Sequence, residues 1–270
     1  MTARRQRTPP LLAIPAVIAV LFLIVPLVAL VVRAPWSDLG HLLTESQAVQ
    51  ALRLSLITAT SATLAAIILG VPLAWVLARR RLPGVGLLRA LTTLPLVMPP
   101  VVGGVALLYA FGRVGLVGRY LDLWFGITLP FTSVAVVMAE TFVAMPFLVV
   151  TLEGALRSAD IGYEEAAATL GASRLRIFFL VTLPAVRPAL IAGSVLCWAR
   201  ALGEFGATIT FAGSFAGSTR TMPIAIYLAM VGDPQSGVAL ALVMLLVSAA
   251  VLVMQRERWW YAGVLRRESR

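Results

Sequence analysis

The stretch EEAAATLGASRLRIFFLVTLP, Glu164 to Pro184, is a polar, charged interruption in an otherwise apolar chain. It runs Glu165-Ala166-Ala167, three residues, Gly171, nine residues, Val181, one residue, Leu183-Pro184. Glu164 and Glu165 come early and Arg174 and Arg176 late, the order that a helix dipole favours. The alanines and Leu170 suit a helix, and Gly171 permits a sharp turn after it. Leu175, Phe178, Phe179 and Val181 make a second apolar face, which Pro184 is expected to end. The residues allow two readings. One is an amphipathic helix pair lying at a membrane interface. The other is a short, stiff helix seated in a groove of a second protein, with small alanines permitting a close fit.

The surroundings decide the class. The chain has 270 residues, 60% hydrophobic and 13% charged, with mean hydropathy +0.95. A soluble domain carries about 25% charged residues. Several runs reach the ~18 apolar residues that mark membrane spans. We read one transmembrane domain over 1–270, with six spans at about 11–32, 51–78, 87–111, 131–152, 189–212 and 238–254. The first span is too long for a signal-peptide core and lacks a clean cleavage site, which points to an uncleaved anchor. The opening stretch then falls in the loop 153–188.

Arg placement orients the spans. With a cytoplasmic N-terminus, the inner segments hold Arg4, Arg5, Arg7, Arg79, Arg80, Arg81, Arg89, Arg157, Arg174, Arg176, Arg187, Arg256, Arg258, Arg266, Arg267 and Arg270. The outer ones hold only Arg33, Arg113, Arg119 and Arg220. This positive-inside bias puts both termini and the 153–188 loop in the cytoplasm. All 22 cationic residues are Arg. A P-loop needs a Lys to reach nucleotide phosphates, so the chain is not that kind of ATPase. A Lys Schiff-base enzyme is excluded as well. The net charge of +10 sits in inter-span segments, which fits membrane orientation and not nucleic acid. One Cys (Cys197) and one His (His41) leave no disulfide and no metal site of the usual kinds, and no catalytic set is visible.

The loop pattern resembles the cytoplasmic coupling loop of ABC import permeases, with Val181 where Ile is frequent. The whole chain is similar to the type I importer permeases of that family, over essentially all six spans. The resemblance implies an all-α fold with a cytoplasmic coupling helix. It implies Glu164, Glu165, Ala166, Ala167, Gly171, Val181, Leu183 and Pro184 as the ATPase-coupling loop. It further implies a homodimer, two ATP-binding cassette subunits that hold the ATP and Mg, and an extracytoplasmic solute-binding protein. This chain itself would bind no cofactor.

Further segments point to cargo. They are Ala199-Arg200-Ala201-Leu202-Gly203-Glu204-Phe205-Gly206-Ala207-Thr208, then Thr219-Arg220-Thr221-Met222-Pro223 with Ile226-Tyr227, and Leu94-Pro95-Leu96-Val97-Met98-Pro99-Pro100-Val101-Val102-Gly103-Gly104. They look like those of molybdate permeases, and the string from Arg200 to Thr208 is similar, less closely, to sulfate and thiosulfate permeases; tungstate is a further alternative. An ATP-independent secondary transporter is the runner-up class, and it would leave the coupling loop without a purpose.

The chemistry of these segments can be argued separately. Arg200 lies about eleven residues into its span, roughly 16 Å deep at about 1.5 Å per residue. An unpaired Arg there costs about 2.5–3.5 kcal/mol, so it needs a partner or water. Glu204, four residues on, shares its helix face, and Glu140 sits at comparable depth in the fourth span. The cluster is either a structural ion group or part of a pathway. Pro95, Pro99, Pro100, Gly103 and Gly104 break the third span, either as a simple kink or, with Gly203 and Gly206, as a gate. Thr208 and Thr210 offer hydroxyls either to an oxyanion or to their own helix backbone.

Overall fold

Hydropathy and chain punctuation lay out the helices. The computed structural model describes residues 10–37, 39–40, 46–79 and 83–265. His41 and Arg4, Arg5, Arg7, Arg80, Arg81, Arg266, Arg267 and Arg270 lie outside them. So do the side chains of Trp259, Trp260 and Tyr261, expected as an interfacial belt.

The helices are α1 (Pro10–Val32), α2 (Ser46–Arg79), α3 (Val85–Val97), α4 (Pro100–Phe111), α5 (Gly118–Phe125) and α6 (Ser133–Ser158). They continue with α7 (Gly162–Thr169), α8 (Arg174–Ala185), α9 (Arg187–Leu202), α10 (Gly206–Phe211), α11 (Met222–Gly232) and α12 (Pro234–Leu265). No strand occurs among the described residues.

Four of these are long and apolar enough to cross a bilayer, and two bent pairs bring the number to six. The six-span reading stands, with a correction to two spans. The third bends by 119° between α3 and α4, at Met98–Pro99. Pro99 has no amide hydrogen to continue α3, and it disfavours helical backbone at Met98. Accordingly Met98 is extended at ψ 135° and Pro100 opens α4. The fifth span breaks once: α9 stops at Leu202 and α10 starts at Gly206, so 189–212 is not one helix, and a 75° bend at Val186, just before the span, separates α8 from α9. Pro184 does not end α8 either; it sits in the first positions of a last helical turn that runs through Ala185. A proline is tolerated there because the turn's first amides have no helical acceptor. The fourth span runs on to Ser158, so the connecting segment is shorter than 153–188.

The chain forms two compact units, 1–48 with 225–270, and 49–224. In the first, α1 packs against α12. The α1 face is almost wholly exposed, as a lipid-facing helix requires. In the second, α6 is the central element. Its Ala135, Val136, Ala139 and Val143 pack with Leu107, Ala207 and Phe211 from α4 and α10. Val149, Leu152 and Leu156 pack with Val71, Ala74 and Leu77 of α2. Alanines fully buried along α2 and α6 let these helices approach closely.

Candidate functional site

The coupling segment is built from local signals. The Asp160 side chain accepts the Gly162 amide at 2.8 Å and so satisfies one free donor at the start of α7. Glu164 and Glu165 occupy its first turn, where the dipole favours acids. The helix ends in a Schellman motif. The Gly171 amide donates to Ala168 O at 3.0 Å and the Ala172 amide to Ala167 O at 3.1 Å, with Gly171 at φ 82°. Ser173 then caps α8 by accepting from the Arg176 amide. The turn expected at Gly171 is present, and Ala166 and Ala167 lie inside α7. Val181 falls in a π-helical stretch, Phe178–Thr182, followed by Leu183 and Pro184.

One contact fixes α7 to α2 and a second fixes α8 to it. Arg79, the last residue of α2, places Nη2 2.9 Å from Glu164 Oε1, with both side chains largely buried. Trp75, one turn earlier, meets Phe178 edge-on, with ring centroids 6.1 Å apart. A movement of α7 therefore bears directly on α2. Glu153 on α6 is held by Arg89 at 2.8 Å and by Arg157 at 3.2 Å, tying α3 to α6 beside this segment. Sequence reasoning missed Arg79, Arg89 and Trp75 as partners. The signal for the two arginines was present: each lies at or near a helix end and faces an acid across a connection.

The intramembrane group is partly as expected. Arg200 Nη2 lies 2.6 Å from Glu204 Oε2. The pair does not share a helix face, because α9 has ended at Leu202. Glu204 instead opens the next helix, its Oε1 accepting the Ala207 amide at 2.8 Å. The carboxylate thus holds a cation and a helix start together. Glu140 on α6 is buried, its Oε1 accepting from Thr58 Oγ1 on α2 at 2.9 Å. It lies within electrostatic reach of Glu204. Thr210 takes the backbone alternative and donates to Gly206 O at 2.8 Å. Thr208 is fully buried, with no hydrogen-bond partner for Oγ1 among the described residues.

The glycines and prolines meet where α4 crosses α10. A Cβ on Gly206 would lie 3.0 Å from Pro100 Cβ, and one on Gly103 3.2 Å from the Phe142 ring. Gly104 is tighter still: its Cβ would stand 2.7 Å from Thr210 Cβ and 2.8 Å from Ala207 O. Gly203 ends α9 and is exposed, and Pro99 is exposed at the bend. The structure thus gathers Pro100, Gly104 and Gly206 at the α4–α10 crossing, sets Gly103 against Phe142 of α6, and leaves Pro99 at the α3–α4 bend and Gly203 at the end of α9.

Residues 66–256 match the family described as binding-protein-dependent transport system inner membrane component. The chain belongs to this family. This inner membrane component is 52% identical over 240 residues to the molybdenum transport system permease protein ModB of Mycobacterium tuberculosis (strain ATCC 25618 / H37Rv), covering 89% of this chain and 90% of that one. It is 44% identical over 218 residues to ModB of Escherichia coli (strain K12), covering 77% of this chain and 95% of that one. Among solved structures it resembles a chain of a bacterial ABC transporter involved in the import of the acidic polysaccharide alginate, with a TM-score of 0.70. That likeness covers 91% of this chain and 94% of the other at 17% identity, and shows the fold shared by the inner membrane component.

Proposed function

We infer that this chain is the membrane-spanning permease subunit of an ATP-driven importer that carries molybdate into the cytoplasm. The observation that carries the reading is the 52% identity with a molybdenum permease across 89% of the chain. The subunit is a transporter and not an enzyme; hydrolysis belongs to a separate ATPase chain. No cofactor is bound by this chain, and ATP and Mg reside on that ATPase. Both termini and α7 face the cytoplasm, a placement supported by the Arg distribution. Two copies form the pore, each with one ATPase docked on α7, and an extracytoplasmic molybdate-binding protein delivers cargo.

The geometry supports alternating access. ATP binding closes the ATPase pair and displaces α7. The Arg79–Glu164 ion pair passes that displacement from α7 to α2, and the Trp75–Phe178 contact links α8 to the same helix. The α4–α10 crossing is the constriction, and the bends at Met98–Pro99 and Gly203 are its hinges. A cation already paired with Glu204 does not hold a dianion tightly, which suits a conduit. Uptake by vesicles containing the permease, the ATPase and the binding protein tests the reading. Molybdate should accumulate only with all three and ATP; accumulation with the permease alone would reject it. Equal or greater uptake of sulfate would shift the cargo to the alternative oxyanion.

A further inference from the structure

A cavity of about 480 Å³ lies between the end of α2, α7 and the start of α8, lined by Trp75, Arg79, Ile161, Glu165, Arg174 and Thr182 among others. Several of its polar groups are left over from the helix packing. Arg79 spends Nη2 on Glu164, while its Nε is buried without a hydrogen-bond partner among the described residues. Thr182 Oγ1 is likewise buried and unpartnered among them. A helical threonine usually donates to the carbonyl one turn back, but Thr182 closes the π-helical stretch and makes no such bond. Arg174 and Glu165 make no ion pair among the described residues.

With Glu164 neutralised by Arg79, the unspent groups are cationic and hydroxyl donors beside one carboxylate, against apolar walls. That set complements a phosphate joined to an ammonium. Position and surroundings narrow the source. Arg79 ends a span, so the cavity lies at the level of lipid headgroups. Leu175, Phe179 and Leu180 on α8 beside it are exposed apolar side chains, as in helices that rest in the interface. Basic pockets between transmembrane helices on the cytoplasmic side take anionic lipid headgroups, and the carboxylate of Glu165 beside Arg174 favours one whose phosphate also carries an ammonium.

We propose that this cavity binds the headgroup of a zwitterionic aminophospholipid, with its phosphate at Arg79, Arg174 and Thr182 and its ammonium at Glu165. The lipid wedges between α7 and α2 and braces the segment that transmits force. The proposal rests on the membrane-permease reading and its orientation.

The test uses the permease with its ATPase in nanodiscs of equal parts phosphatidylethanolamine and phosphatidylcholine, with retained lipid counted by native mass spectrometry. The wild type should keep one phosphatidylethanolamine per permease copy. Arg174→Gln and Thr182→Val, each still bound to the ATPase, should lower retention about tenfold, the loss of one charge-assisted or buried phosphate contact. Glu165→Gln should remove the preference for phosphatidylethanolamine while keeping phospholipid. Retention unchanged in all three variants overturns the proposal. So does displacement of the lipid by excess inorganic phosphate, which would make the site one for a soluble oxyanion. Molybdate uptake by the same assembly reports separately on the transport reading, because failed uptake with lipid retained sinks that reading alone.

Discussion

Gly171 holds φ at 82°, and its amide and that of Ala172 close the two Schellman bonds that end α7. Proline fixes φ near −65° and has no amide hydrogen, so Gly171→Pro breaks the turn on both counts. We expect the variant to reach the membrane and bind the ATPase, with hydrolysis continuing and uptake falling about tenfold or more, about 1.4 kcal/mol of lost coupling. Hydrolysis and uptake measured in the same vesicles check this, and full coupling would remove α7 from the docking role. Arg200 acts at the other centre. Arg200→Gln leaves Glu204 buried with one amide donor and no cation. The cost falls below the about 3–5 kcal/mol of a fully buried broken pair, because Arg200 is 27% exposed. Transport should drop while the permease and the ATPase still co-elute on gel filtration; unchanged uptake would mark the pair as structural only.

At the scale of helices, the α4–α10 crossing and the α2–α7 junction differ in what holds them. The crossing is backbone against backbone at Gly104, so Gly104→Ala forces a Cβ to 2.8 Å from Ala207 O. Overpacking of this kind costs about 1–3 kcal/mol, and the purified variant should unfold at a lower temperature than wild type; an unchanged midpoint would mean the crossing has room to move. The α2–α7 junction depends on one ion pair. Arg79→Gln should impair coupling, and the exchange Arg79→Glu with Glu164→Arg should recover part of it, a non-additivity of about 0.5–3 kcal/mol for groups in contact. Additive losses would show that the two residues act separately. These junctions also mark how far the sequence could be read. Long apolar runs gave six spans, and Gly171 and the Glu-Ala-Ala run gave α7 and its turn, because each is a local signal. The bend at Met98–Pro99 was legible as a break but not as 119°, since its angle is set by what α4 packs against. The end of α9 at Leu202 was hidden, because Gly203-Glu204 reads equally as helix interior and as helix start. The partners Arg79 for Glu164 and Thr58 for Glu140 lie more than eighty residues away in sequence, where spacing says nothing.

Across the whole molecule, the question is where cargo is chosen. Molybdate, tungstate and sulfate are tetrahedral dianions of similar charge. Telling them apart requires an enclosing shell of donors, because unmet hydrogen bonds are what reject the wrong ligand. The intramembrane group of this chain is built otherwise. Arg200 is engaged by Glu204, Glu140 adds a second carboxylate, and Thr210 spends its hydroxyl on Gly206 O. On the proposed pathway such a group would pass a dianion without grading it, and capture would be left to the binding protein. Uptake ratios for molybdate, tungstate and sulfate should therefore follow the affinities of the binding protein, measured by calorimetric titration. Arg200→Gln should lower the absolute rates of all three by a common factor. A variant in this group that changes the ratio between oxyanions at constant binding-protein affinity would place selection inside the pore. The hinges at Met98–Pro99 and Gly203 would then frame a binding site and not a passage.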